Sequence, residues 1–78
     1  MIGMILRNMR KTAKLSQNTL GKKLSMADTT ISSYERENSQ ADFQTISNIA
    51  NICGYTIIFK DKEGNILTTE EMAKEKDY

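Results

Sequence analysis

The sequence predicts a mainly helical domain of four to five short helices that ends in a β-strand or hairpin. Three observations carry this. Apolar residues recur at three- and four-residue spacing as far as Cys53, the pattern stops at Gly54, and the next six residues, Tyr55-Thr56-Ile57-Ile58-Phe59-Lys60, are rich in β-branched and aromatic side chains. Residues 1–54 therefore form the helical body. Residues 55–69 form a strand or hairpin extension, and residues 70–78 a short helix or frayed acidic tail.

In the first helix, Ile2, Leu6, Met9 and Ala13 share one face while Arg7, Arg10, Lys11 and Lys14 lie on others. The chain breaks near Lys14-Leu15, where Ser16 is placed to cap a second helix from Gln17 to about Leu24, with Leu20 and Leu24 inward. Ser25-Met26-Ala27 make a turn. A third helix covers roughly Asp28 to Arg36, with Ile31 and Tyr34 as its core contacts. After a polar stretch, Asp42 caps a fourth helix whose apolar face is Phe43, Ile46, Ile49, Ala50 and Cys53, and Gly54 ends it. Tyr55–Lys60 reads as a strand, Asp61–Asn65 as a turn with Gly64 free to take positive φ, and Ile66–Thr68 as a returning strand. Thr68-Thr69-Glu70-Glu71 fits a capping box, so a short exposed helix begins there, and Lys74–Tyr78 are expected to fray.

At 78 residues the chain has room for one small core, and a chain this short buries only about 60% of its unfolded surface. The single cysteine, Cys53, rules out an internal disulfide, and with no histidine no metal clip is expected. Cys53 reads as a small buried hydrophobe, and the methionines as gap-fillers rather than a cofactor box, with Met26 in the core. The lone thiol suits a reducing compartment, and the short apolar run at the N-terminus neither spans a bilayer nor serves as a signal peptide, so a cytoplasmic protein with no membrane partner is expected. Residues 1–60 carry eight basic side chains against four acidic ones, whereas residues 61–78 carry three lysines against six acids. A basic body with an acidic tail is compatible with an anionic polymer as partner. No phosphate-cradling loop, metal motif or nucleophile–base pair is present, so neither an enzyme nor a cofactor is expected.

Two short helices joined by a three-residue turn form the unit that DNA readers set against the major groove, the first bracing on the backbone and the second inserting. Here the ordered series is Leu15-Ser16-Gln17, Leu20, Leu24, Met26, Thr30-Ile31-Ser32 and Tyr34-Glu35-Arg36. With LSQNTLGKKLSMADTTISSYERE followed by FQTISNIANICG, residues 2–54 resemble the lambda-repressor-like helix-turn-helix family of phage repressors, Cro-type proteins and bacterial regulators.

The resemblance implies a sequence-specific, double-stranded-DNA-binding transcriptional regulator, a repressor acting as a dimer. It puts Ala27, Asp28, Thr29, Ser32 and Ser33 toward base edges, and Ser16, Gln17 and Arg36 at phosphates. For Gln17, a helix-capping role stands beside the phosphate contact. Arg10 and Glu35 match a structural, partly buried ion pair that ties the first helix to the third. The sequence also departs from the family pattern. Ser25 stands for the turn glycine, Ala27 for the serine that caps the recognition helix, and Gly21 for an alanine. Ser25 is then in position to cap the third helix early, with Asp28 three residues on. Gly21 permits close packing while costing about 1 kcal/mol of helix propensity. Asp28 brings a negative charge to the reading face, where it either accepts from cytosine N4 or serves the helix dipole.

A single unit of this kind makes a small interface, and Ile57, Ile58 and Phe59 put apolar groups on both sides of the extension, so these residues are expected to build a homodimer. Two other readings stand beside the repressor. One is an antitoxin of a toxin–antitoxin operon, with the tail from Thr69 binding a toxin protein. The other is a protein-interaction module that binds no DNA, which Asp28 and the low net charge would suit.

Overall fold

A computed structural model describes residues 1–74 of the chain. Its elements are α1 (Ile2–Thr12), α2 (Gln17–Leu24), α3 (Asp28–Glu35), α4 (Phe43–Ile52), β1 (Ile58–Lys60), β2 (Ile66–Thr68) and α5 (Thr69–Ala73). Among the described residues the protein is thus mainly helical with a short antiparallel hairpin, in which Ile58 faces Thr68, Phe59 faces Leu67 and Lys60 faces Ile66. The expected fraying of the last residues falls, beyond Lys74, outside the described part. No helix is long and apolar enough to cross a membrane among the described residues.

Side chains start three of the helices. Ser16 Oγ accepts from the Thr19 amide at 3.0 Å, Asp42 Oδ1 from the Thr45 amide at 2.8 Å, and Thr68 Oγ1 from the Glu71 amide at 3.3 Å. Each satisfies one of the free amides that a helix N-terminus leaves. The third helix, like the first, has no such cap. It starts on Ala27, which has no oxygen to offer, and Ser25 does not cap it. Instead Ser25 ends α2 in the left-handed region (φ 57°), so the early start expected from Ser25 is not taken.

Leu6, Leu20, Ile31, Ile49 and Cys53 form the buried core, and Ile2, Met9, Ala13, Leu15, Leu24, Met26, Tyr34, Ile46 and Ile52 pack around it. Two glycines let backbones approach within this core. A Cβ at Gly21 would stand 2.5 Å from the Met26 carbonyl oxygen, and one at Gly3 would meet the carbonyls of Tyr34 and Glu35. The glycine in α2 is therefore a packing requirement that outweighs its low helix propensity.

Two expectations need correction. Phe43 is not core: as the first residue of α4 it lies beyond the end of the bundle, 48% exposed, with its ring tilted against Phe59 at a centroid distance of 6.2 Å. The first strand is also shorter than Tyr55–Lys60. The Tyr55 amide is consumed by the Ala50 carbonyl at 2.8 Å, closing α4, and pairing begins only at Ile58 because β2 offers three residues. The turn between the strands is built by Asp61, whose carboxylate accepts from the amides of Glu63 and Asn65, each at 2.9 Å, while Gly64 takes φ 90°.

Candidate nucleic-acid interface

The geometry of the α2–turn–α3 unit follows from its turn. With Ser25 left-handed, the Met26 amide donates back to the Gly21 carbonyl at 2.8 Å, and Met26 folds onto the core. This pair of features, a left-handed residue followed by a bond back across the last turn, ends α2 and sends the chain directly into α3. Leu20 of α2 and Ile31 of α3, both almost fully buried, fill the angle between the helices.

On α3, Ile31 and Glu35 are buried and Tyr34 is half-buried, which fixes the inward side of the helix. At 100° per residue, Thr29, Ser33 and Arg36 then point the opposite way, with Ser32 beside them. Ala27, Asp28, Thr29 and Arg36 are exposed, and Ser32 and Ser33 are partly covered. The Ser33 hydroxyl lies 2.9 Å from that of Ser39, in the loop after the helix. Arg36 is the residue that closes α3 rather than its last helical residue.

A buried charge network holds this helix at its angle. Arg10 Nε donates to Glu35 Oε2 at 2.6 Å and Arg10 Nη2 to Glu35 Oε1 at 3.0 Å, while Nη1 donates to the Leu15 carbonyl at 2.9 Å. The first two bonds pair guanidinium and carboxylate edge to edge, the geometry that gives such pairs direction as well as strength. Gln17 Nε2 adds a third bond to Glu35 Oε1 at 3.1 Å. Burial alone would push the Glu35 carboxyl up, but the hydrogen bonds from Arg10 and Gln17 together outweigh it and hold the group below the usual carboxylate range. The side chain of Gln17 is thus turned toward Glu35, and because an amide nitrogen carries two protons, one remains for an outside acceptor.

Arg7 and Arg36 flank the same place. Together with Gln17 and Ser32 they rim a cleft of about 260 Å³ floored by Arg10 and Glu35. Neither Arg7 nor Arg36 takes part in an ion pair among the described residues, where the pairs are Arg10–Glu35 and the N-terminal ammonium with Glu37. Sequence reasoning missed Arg7. Periodicity shows only that it lies off the core face of α1, and tertiary packing is what brings that face beside the end of α3. Ser16 is exposed at the start of α2, with its hydroxyl engaged by Thr19.

The hairpin residues are separate from this face. Ile58 and Phe59 are exposed, whereas Ile57 is half-buried and lines a groove with α4 and α5. Burial pushes the Cys53 thiol up, as befits a core side chain. No group of three or more potential ligands able to hold a metal occurs among the described residues.

A helix-turn-helix family model matches residues 6–59, which contain the whole of α2, the turn and α3. No significant match is found among curated proteins or among solved structures.

Proposed function

This chain belongs to the Cro-type, lambda-repressor-like helix-turn-helix family of DNA-binding regulators, and from that premise we propose that it is a dimeric transcriptional repressor that inserts α3 into the major groove. The observation that carries the reading is the division of α3 into two sides. Ile31, Tyr34 and Glu35 are held inward, and the small polar side chains of Thr29, Ser32 and Ser33 are left outward beside Arg36, which joins no ion pair among the described residues. Thr29 and Ser33 can donate or accept at base edges, and Ala27 or the Thr29 methyl suits the thymine methyl. Arg7, Arg36, the second amide proton of Gln17 and Ser16, once its hydroxyl proton leaves Thr19 Oγ1, bind flanking phosphates and set the register. Ser33 exchanges or shares its bond to Ser39 on binding. The hairpin joins two copies so that two such helices meet successive turns of the duplex, and occupancy of a promoter blocks transcription by steric exclusion.

Titration of labelled genomic duplexes at two salt concentrations tests this. Binding is expected to weaken steeply with salt through counterion release. Arg36→Ala and Arg7→Ala should each weaken all sequences alike and lower the salt slope by about 1, whereas Thr29→Ala and Ser33→Ala should alter the preferred site. Failure to bind any duplex at low salt would remove the reading.

A further inference from the structure

We propose that Asp28 selects cytosine: its carboxylate accepts from the exocyclic N4 amine of that base in the major groove and turns away guanine and thymine. The proposal rests on the DNA-reading role given above to α3, and it concerns which base the start of that helix demands.

An acidic residue in the first turn of a helix usually has structural work, either accepting from free amides or pairing with a cation one turn on. At Asp28 neither is found. The three side chains that start helices by bonding an amide are Ser16, Asp42 and Thr68, and α3, which starts on Ala27, has no side-chain cap. Three and four residues further on stand Ile31 and Ser32, which carry no positive charge, and neither ion pair among the described residues includes Asp28. The side chain is exposed, at the end of the helix that enters the groove first in units of this kind. What remains to it locally is the helix dipole, a weak interaction at an exposed site.

The same carboxylate works against binding wherever phosphates are the only neighbours. It is offset where the groove supplies a donor. A carboxylate is acceptor-only, and the major groove holds two donors, cytosine N4 and adenine N6. Adenine N6 is flanked by acceptors on both sides, its own N7 and the O4 of the paired thymine, which repel the second carboxylate oxygen, whereas cytosine N4 has an acceptor on one side only, O6 of the paired guanine, and its own C5–H on the other. Guanine, with O6 and N7, and thymine, with O4, set acceptor against acceptor. The chemistry ranks cytosine first, adenine second, and the other two last. Asp28 therefore suppresses non-specific binding and contributes one base of sequence preference at the same time.

Selection of sites from a randomised duplex library by the full chain and by Asp28→Ala and Asp28→Asn provides the test. Wild type is expected to enrich cytosine at one position of each half-site. Asp28→Ala should lose the preference there and keep it elsewhere, and Asp28→Asn should move it to adenine, whose N6 and N7 match a side-chain amide. Changing that cytosine to thymine should weaken wild-type binding by roughly 5- to 150-fold and leave Asp28→Ala unaffected. An identical preferred base at every position for all three proteins would overturn the assignment while leaving α3 as a DNA reader. Enrichment of no sequence by wild type would overturn the DNA-reading role and this proposal together.

Discussion

Glu35 accepts three hydrogen bonds inside the protein, two from Arg10 and one from Gln17, and so couples α1 and α2 to the helix that carries the candidate reading face. Breaking a buried pair by removing one partner leaves the other charge without compensation, which typically costs about 3–5 kcal/mol. A folded chain of this length has on the order of 4–12 kcal/mol in all. Glu35→Gln should therefore lower stability by about 3 kcal/mol in urea titrations, a large part of the total. The pH dependence follows from the lowered carboxyl. Because the group is harder to protonate folded than unfolded, its stabilisation is complete above the ordinary carboxylate pKa, about 4.3, and is lost as pH falls through the lower folded value. Exposed Asp42 and Asp61, held down by their own hydrogen bonds, add in the same direction. The melting temperature should stay level from neutral pH to about 5 and fall below about 4, and the fall should be shallower in Glu35→Gln. An equally steep acid limb in that variant would show that Glu35 is not the group responsible. Arg10 and Glu35 were legible as partners only through the family resemblance, since 25 residues separate them. The third arm, from Gln17, was not legible, because a glutamine at a helix start fits a phosphate contact or a cap equally well.

At the scale of elements, the helix ends explain what the sequence could and could not reveal. All four bundle helices finish alike, with a left-handed residue at Lys14, Ser25, Glu37 and Gly54 (φ 60°, 57°, 61° and 87°). The next amide bonds back across the last turn in each case, Leu15 to Arg10, Met26 to Gly21, Asn38 to Ser33 and Tyr55 to Ala50. Only the fourth carries the glycine that announces such an end. The other helices were still delimited, because apolar spacing and the caps at Ser16 and Asp42 mark their starts. The hairpin was legible from Gly64 and the β-branched run, but the loss of Tyr55 to the end of α4 was not, since it depends on a backbone bond that no residue type encodes. Left-handed geometry costs a non-glycine residue roughly 1–2 kcal/mol, part of which glycine returns as extra freedom in the unfolded chain. Ser25→Gly should therefore stabilise the protein by about 0.5–1 kcal/mol, raising the calorimetric midpoint by a few degrees. Gly54→Ala, at a site with open space but φ 87°, should lower it. A Ser25→Gly midpoint at or below that of wild type would mean that the turn draws on the serine side chain rather than merely tolerating it.

The described part of the molecule measures 43 × 23 × 21 Å, about twice as long as it is wide, and its radius of gyration of 14.1 Å exceeds the ~11.5 Å typical of a compact chain of about this length. Beside the helical bundle stands a hairpin of three-residue strands with apolar side chains exposed on both faces, Phe59 and Leu67 on one, Ile58 and Ile66 on the other. A two-stranded hairpin is marginal alone in water, and its outer edges leave backbone groups unpaired. Pairing with a twofold copy would satisfy those edges and cover the apolar faces in one step, which is the physical basis for the proposed dimer contact at Ile58 and Phe59; Ile57, half-buried against α4 and α5, offers less to a partner. Such a contact would also bear on affinity, because joining two half-site readers would make the second binding event intramolecular, worth roughly 100- to 10,000-fold. Ile58→Glu should then yield monomers in light scattering at tens of micromolar and reduce affinity for a two-half-site operator by about 100-fold or more. Affinity for an isolated half-site should hardly change. The bundle should melt as in wild type, since Ile58 is 49% exposed and lies outside the buried core. Wild-type protein that is itself monomeric at those concentrations, and that binds one half-site as tightly as two, would remove the hairpin from this role and leave each α3 to act alone.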